Sequence, residues 1–266
     1  MNMRLDLFQV DAFTGKLFGG NPAAVVPLED WLPDETFQAI AEENNLSETA
    51  FFIPSENGYR IRWFTPVAEV DLCGHATLAT AHVLWTHLGF SEEKLAFDSR
   101  SGRLTVSKNA EWYTLDFPMD ELERVDAPLA MVVALNAKIL DCFRGREDYL
   151  VILENEQAVT GLTPDFSSLR KLGGRGVICT ARGETCDFVS RCFFPAYGID
   201  EDPVTGSAHT TLTPYWAAQL GKKKLSAQQL SKRGGRLICE LQGDRTLISG
   251  QAITYLTGSI HLSNQL

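Results

Sequence analysis

Gly74-His75-Ala76-Thr77-Leu78-Ala79-Thr80-Ala81-His82-Val83-Leu84-Trp85-Thr86-His87-Leu88-Gly89 opens on glycine, continues as a mostly apolar helix and stops at Leu-Gly. The same device returns as Gly206-Ser207-Ala208-His209-Thr210-Thr211-Leu212-Thr213-Pro214-Tyr215-Trp216-Ala217-Ala218-Gln219-Leu220-Gly221. Gly74 and Gly206 stand 132 positions apart, about half of the 266-residue chain. The first N–H groups of a helix lack intrahelical partners, and the aligned peptide dipoles place partial positive charge there. A glycine at that point lets a ligand approach the backbone, so each start is a candidate anion site. One copy alone reads more simply as a buried helix that begins at glycine. Two copies, each preceded by acidic residues, predict starts that face each other across a cleft and hold a small carboxylate.

Working outward, the order strand, helix, strand, strand, loop, glycine-led helix, strands occurs twice. Leu5–Val10 alternates with period two and reads as a strand, followed by Ala23–Val26. Pro33-Asp34-Glu35 opens a helix to about Asn44. Ala50–Ile53 and Tyr59–Phe64 read as strands, with Asn57-Gly58 as the turn between them. A loop then carries Glu69 and Asp71 to the first helix. Leu95–Phe97, Arg103–Val106 and Trp112–Phe117 read as antiparallel strands. Around Pro118–Asp126 alternation fades and acids gather, which places the domain boundary near 120, giving halves 1–120 and 121–266. In the second half Tyr149–Leu153, Gly176–Cys179 and Cys186–Pro195 read as strands, and Pro164–Leu172 as a short helix. A loop with Asp200, Glu201 and Asp202 precedes the second helix, and Leu237–Leu241, Arg245–Ile248 and Gln251–Tyr255 close the chain, the last strand packing back on the first half. Such repetition at domain scale is an internal duplication. Ala76–Leu88 is apolar around its circumference, which suits a helix wrapped by curved, mostly antiparallel sheet. The expected class is therefore α+β, with two pseudo-symmetric domains, each a curved sheet or barrel around a central helix.

The formal net charge of −10 argues against nucleic acid and anionic membranes as partners. Six cysteines show neither C-x-x-C pairing nor a disulfide or zinc pattern. Met1–Val10 alternates polar and apolar residues and does not read as a signal peptide, and no stretch has membrane-spanning length. Cytoplasm is the default location.

Chemistry in a duplicated scaffold is sought where the copies differ. Glu48 begins an apolar strand, and the corresponding stretch near Arg175–Ile178 has no acid. Beside buried aromatics a carboxyl group there would lose hydration, which favours its protonated form and suits a general acid/base; a solvated edge glutamate is the plain alternative. His75 and Ser207 share one slot. His75 can orient substrate or move a proton, or simply pack. Ser207 does not stand in G-x-S-x-G and reads as a hydrogen-bonding group or a helix-start residue rather than a nucleophile. Asp202 can pair with His75 across the cleft or merely solvate its loop. His75, His82 and His87 lack metalloprotease spacing, so no metal is expected.

Phe18-Gly19-Gly20-Asn21-Pro22-Ala23, Leu46-Ser47-Glu48-Thr49-Ala50-Phe51, Glu69-Val70-Asp71-Leu72-Cys73-Gly74-His75-Ala76-Thr77 and Glu201-Asp202-Pro203-Val204-Thr205-Gly206-Ser207-Ala208-His209 together give the chain its resemblance. It resembles the PhzF-like isomerases of phenazine biosynthesis, relatives of diaminopimelate epimerase. The resemblance implies a diaminopimelate epimerase-like fold, a homodimer, no cofactor, and an active site between the halves. It implies catalytic roles for Glu48, His75 and Asp202. It also implies substrate contacts at Asn21, Gly74, Gly206 and Ser207. Cys73 adjoins the first helix start, but the second has no neighbouring thiol, so a two-cysteine racemase fits less well than one glutamate shuttling a proton. The expected function is a cofactor-independent isomerase of a small carboxylate; the alternative is a non-catalytic carboxylate-binding protein.

Overall fold

The fold was obtained as a computed structural model that describes residues 3–263. It is α+β and divides into two compact units. One runs through Asp116 and takes back the chain from Ser249 onward; the other is Phe117–Ile248. Among the described residues no helix is long and apolar enough to cross a membrane.

The chain order begins β1 (Met3–Ala12), β2 (Asn21–Pro27), α1 (Asp34–Asn44), β3 (Glu48–Ser55), β4 (Gly58–Phe64), β5 (Glu69–Val70), α2 (Gly74–Thr86), β6 (Lys94–Ser99), β7 (Gly102–Asn109) and β8 (Trp112–Pro118). It continues with β9 (Glu123–Arg124), α3 (Leu129–Leu135), β10 (Asp141–Arg144), β11 (Asp148–Ile152), α4 (Glu156–Thr160), α5 (Phe166–Leu169), β12 (Gly176–Arg182), β13 (Phe188–Phe194) and β14 (Ile199–Asp202). It ends with α6 (Ala208–Leu220), β15 (Lys224–Gln229), β16 (Gly235–Gln242), β17 (Arg245–Gly250) and β18 (Ala252–Leu262).

The strand wiring repeats. In the first unit β2 runs parallel to β3, β3 is antiparallel to β4, β4 is antiparallel to β5 and parallel to β6, and β6 is antiparallel to β7. In the second unit β11, β12, β13, β14, β15 and β16 follow the same sequence of parallel and antiparallel pairings. The parallel pairs match Ala23 with Glu48 in one unit and Asp148 with Gly176 in the other. A bidentate ion pair is duplicated too. Arg62 on β4 grips Glu69 on β5, with both contacts at 2.7 Å, and Arg191 on β13 grips Glu201 on β14 at 2.7 and 2.9 Å. Each fork pins the short strand that feeds the following helix.

Those short strands differ from the loops expected around Glu69–Asp71 and Asp200–Asp202. Their acids are poor strand formers, and the arginine forks hold them in the ladder nonetheless. The first helix ends at Thr86, before Leu88, and the second begins at Ala208, with Gly206-Ser207 forming the turn ahead of it.

Every residue from Gly74 to Leu84 is buried, so α2 has no polar face to present. It packs against β1, β2, β3 and β18, and β18 pairs along β1 from Met3↔Leu262 to Ala12↔Ala252. On the other side of β3, α1 seals a second layer in which Phe37 meets Phe51 and Phe64. In the second unit α6 lies against β15 and β16. There Phe188 stacks on Trp216, whose indole N–H donates to Thr180 Oγ1 at 3.0 Å. All six cysteines are free thiols.

Candidate active site

Three pieces of chain converge at the start of α2. The loop after β1 folds back because Asp11 Oδ2 accepts the Phe18 N–H at 2.9 Å, and because Gly20 takes φ +63° against the Ala12 carbonyl. A Cβ at Gly20 would stand 2.1 Å from that carbonyl oxygen, so only glycine fits. The loop delivers Asn21, fully buried, to the head of β2. The parallel neighbour β3 begins with Glu48. The β5 strand leads to Cys73, whose extended backbone ends at Gly74, the first residue of α2.

His75, 5% exposed, is the hub. Its Nε2 lies 3.1 Å from Glu48 Oε2, a charge contact whose angles are not those of an in-line hydrogen bond. Its Nδ1 lies 3.3 Å from the Asn21 side-chain amide and 3.5 Å from Cys73 Sγ. Burial by itself disfavours the imidazolium. The anionic forms of Cys73 and Glu48 outweigh it and hold His75 well above its usual 6.5. The Cys73 thiol is itself pushed up by burial and by the Glu48 charge. The Glu48 side chain is 12% exposed, partly dehydrated as the sequence led one to expect, with an edge still open to a ligand. Glu48, Cys73 and His75 each bring one donor atom within 4.8 Å of the others, as a metal site does. Glu48 thus meets one ring nitrogen of His75 and Cys73 the other.

His82 and His87 belong elsewhere. His82 meets Tyr113 Oη at 3.0 Å and Thr254 Oγ1 at 2.9 Å, and His87 meets the same threonine at 2.8 Å. Burial, with the charges of His87 and Lys108, lowers His82 to about 4, so it is a neutral packing residue.

In the second unit Asp202 ends β14 and is 7% exposed, so of its two readings that of an acid solvating its loop does not hold. Its Oδ2 accepts the Thr205 hydroxyl, and its backbone carbonyl accepts Gln229 Nε2 at 2.8 Å. Gln229 Oε1 in turn accepts the Thr205 N–H at 2.8 Å. This lattice holds the turn Thr205-Gly206-Ser207 that starts α6. Ser207 Oγ accepts Arg175 Nη1 at 3.0 Å. Arg175 is forked onto Asp148, with Nε at 3.0 Å from Oδ1 and Nη2 also on the carboxylate, and its guanidinium lies over the Phe194 ring at 4.9 Å. Burial opposes the Arg175 charge, and Asp148 and Glu147 overcome it. Sequence reasoning passed over Arg175, Asp148, Thr205 and Gln229. One signal was present: a charged residue between Gly174 and Gly176, one position before the slot that Glu48 fills in the first half.

A family model described as phenazine biosynthesis-like protein, PhzC–PhzF, matches residues 10–258. An uncharacterised isomerase of Pseudomonas aeruginosa is 52% identical over 98% of this chain and 100% of its own. A crystal structure of a PhzF-family phenazine biosynthesis protein from Enterococcus faecalis superposes with a TM-score of 0.95 at 50% identity, covering 98% of this chain and 100% of that one. A hydroxyproline epimerase from Agrobacterium vitis shares the fold alone, with a TM-score of 0.61 and 12% identity over 98% of this chain and 94% of that one. The repeated wiring, the two helix starts and the match along nearly the whole chain lead to one assignment: this chain belongs to the PhzC–PhzF family of phenazine biosynthesis-like proteins.

Proposed function

We propose that the protein is an isomerase that moves a proton between two carbons of a small carboxylic acid, with Glu48 as the group that carries it. The observation that bears most weight is the Glu48–His75 contact of 3.1 Å at the start of α2. His75 sets a ring nitrogen 3.1 Å from Glu48 and gives the acid formed after proton transfer a polar partner. The isomerase name of close relatives supports the same reading.

In the proposed reaction a C–H bond breaks, the Glu48 O–H bond forms, and the electron pair enters a neighbouring double bond or carboxylate. Glu48, whose carboxyl proton exchanges with solvent, then delivers a proton to a second carbon, so the formula of the substrate is unchanged. The helix starts at Gly74 and at Gly206-Ser207 are each suited to receive a substrate carboxylate, Asn21 steadies His75, and Asp202 holds the turn that shapes the second start. Every step uses groups of this chain.

The test is a screen of small carboxylic acids in deuterated water, following carbon-bound deuterium by mass spectrometry, with wild type against Glu48→Gln. Incorporation by wild type and none above background by the variant supports the proposal. Equal incorporation by both removes Glu48 from the chemistry, and binding without incorporation by wild type favours a carboxylate-binding protein instead.

A further inference from the structure

Arg175 lies, in the second unit, one residue before Gly176, which holds the place in the parallel-strand register that Glu48 holds in the first. Glu48 opens β3 and reaches the residue after the helix-start glycine, His75. Arg175 immediately precedes β12, the equivalent parallel strand, and reaches the residue after the second glycine, Ser207, at 3.0 Å. The duplication has therefore kept one strand-to-helix contact in both copies and changed its chemistry from acid–imidazole to guanidinium–hydroxyl.

The consequence concerns the hydroxyl proton. A guanidinium is a donor only, so Ser207 Oγ accepts from it and must direct its own O–H elsewhere. Two features keep Arg175 in that pose. Asp148, 3% exposed, takes two of its nitrogens, and Phe194 lies beneath its plane. We propose that Arg175, fixed by Asp148, is a positioning residue that turns the Ser207 O–H away from itself and so tunes the second helix start for an ionised carboxylate. This rests on the reading above that Gly206 and Ser207 receive the substrate carboxylate. Arg175 acts through Ser207, not as a proton carrier.

The experiment uses the full chain and acetate as the probe. Backbone amide shifts of Gly206, Ser207 and Ala208 are followed by 15N–1H NMR during acetate titration at constant ionic strength, in wild type, Arg175→Met, Arg175→Lys, Ser207→Ala and the Arg175→Met/Ser207→Ala pair. Saturable shifts are expected in wild type, with affinity reduced at least fivefold in Arg175→Met and in Ser207→Ala. The double variant is expected to bind no more than twofold more weakly than Ser207→Ala alone, because the arginine works through the hydroxyl. Arg175→Lys keeps the charge but not the fork and is expected to fall between wild type and Arg175→Met; it also serves if Arg175→Met does not fold. Additive losses in the double variant, or wild-type affinity in Arg175→Met while Ser207→Ala is weakened, would overturn this inference and leave the carboxylate reading standing. No saturable shift in wild type, or no effect of Ser207→Ala, would overturn that reading and this inference together.

Discussion

The two helix starts are built on one plan and equipped for different tasks. At the first, the residue after glycine is a buried histidine set against a carboxylate and a thiol. At the second, it is a serine set against a guanidinium that is already neutralised by Asp148. Ion pairs of the same shape, Arg62–Glu69 and Arg191–Glu201, brace the strands that feed both. The contrast teaches that duplication preserved the scaffold while the contact between strand and helix diverged. On the proposed reading the first start takes and returns a proton, and the second donates hydrogen bonds to an anion.

The largest expected effect comes from removing the acid that one copy has and the other lacks. Glu48→Gln is expected to lower carbon-bound deuterium exchange by about 10³-fold, the range of a lost general acid/base, with an unchanged melting transition by circular dichroism. Replacing the imidazole probes its other partner. His75→Asn is expected to slow exchange by roughly 10–100-fold, since the histidine assists and does not carry the proton in this account. It also carries a pH signature. A folded-state value raised above 6.5 means that His75 stabilises the fold fully below pH 6.5, and that this contribution is lost as pH rises through the raised value. The stability gap between wild type and His75→Asn, measured by urea unfolding, is therefore expected to be largest in mildly acidic solution and to close on the alkaline side.

A third substitution asks why the second copy has no acid. Gly176 matches Glu48 through the parallel-strand register, and a Cβ there would stand 2.2 Å from the Phe193 carbonyl oxygen and 2.4 Å from the Phe194 ring. Gly176→Ala is expected to destabilise the fold by about 1–3 kcal/mol through overpacking. Gly176→Glu, which would restore the symmetry, is expected to cost more; a tolerated Gly176→Glu in chemical denaturation would mean that the asymmetry is not sterically enforced. The smallest effect is expected at the far end of α6, where Lys222 pairs with Asp187 in partly exposed surroundings. Lys222→Ala is expected to change stability by no more than ~1 kcal/mol, as for other surface ion pairs, with high salt shrinking the difference.

Much of this plan was legible in the sequence. The helical glycine-to-Leu-Gly segments, the alternating strands at Leu5–Val10 and Tyr59–Phe64, and the strand opening at Glu48 are all local patterns, and local patterns survive folding. Less legible were elements created by pairing. Lys224–Gln229 shows little apolar alternation, yet β13 and β16 flank it and make it a strand. Ile199–Asp202 carries three acids and joins the ladder beside β13 all the same. The sequence left Asp202 open between pairing and solvation, because it is buried by a hydrogen-bond lattice whose members, Thr205 and Gln229, lie as much as 27 residues away. Arg175 was invisible as a site residue for a related reason. Its meaning depends on a parallel-strand register and on Asp148, and neither can be read from a glycine-rich stretch alone.

One measurement addresses the division of labour directly: solvent-deuterium exchange and acetate-induced amide shifts at residues 206–208, both recorded on Glu48→Gln and wild type. The account predicts that the variant loses exchange while its acetate response stays that of wild type. Exchange that persists at the wild-type rate, or an acetate response lost along with it, would contradict the account.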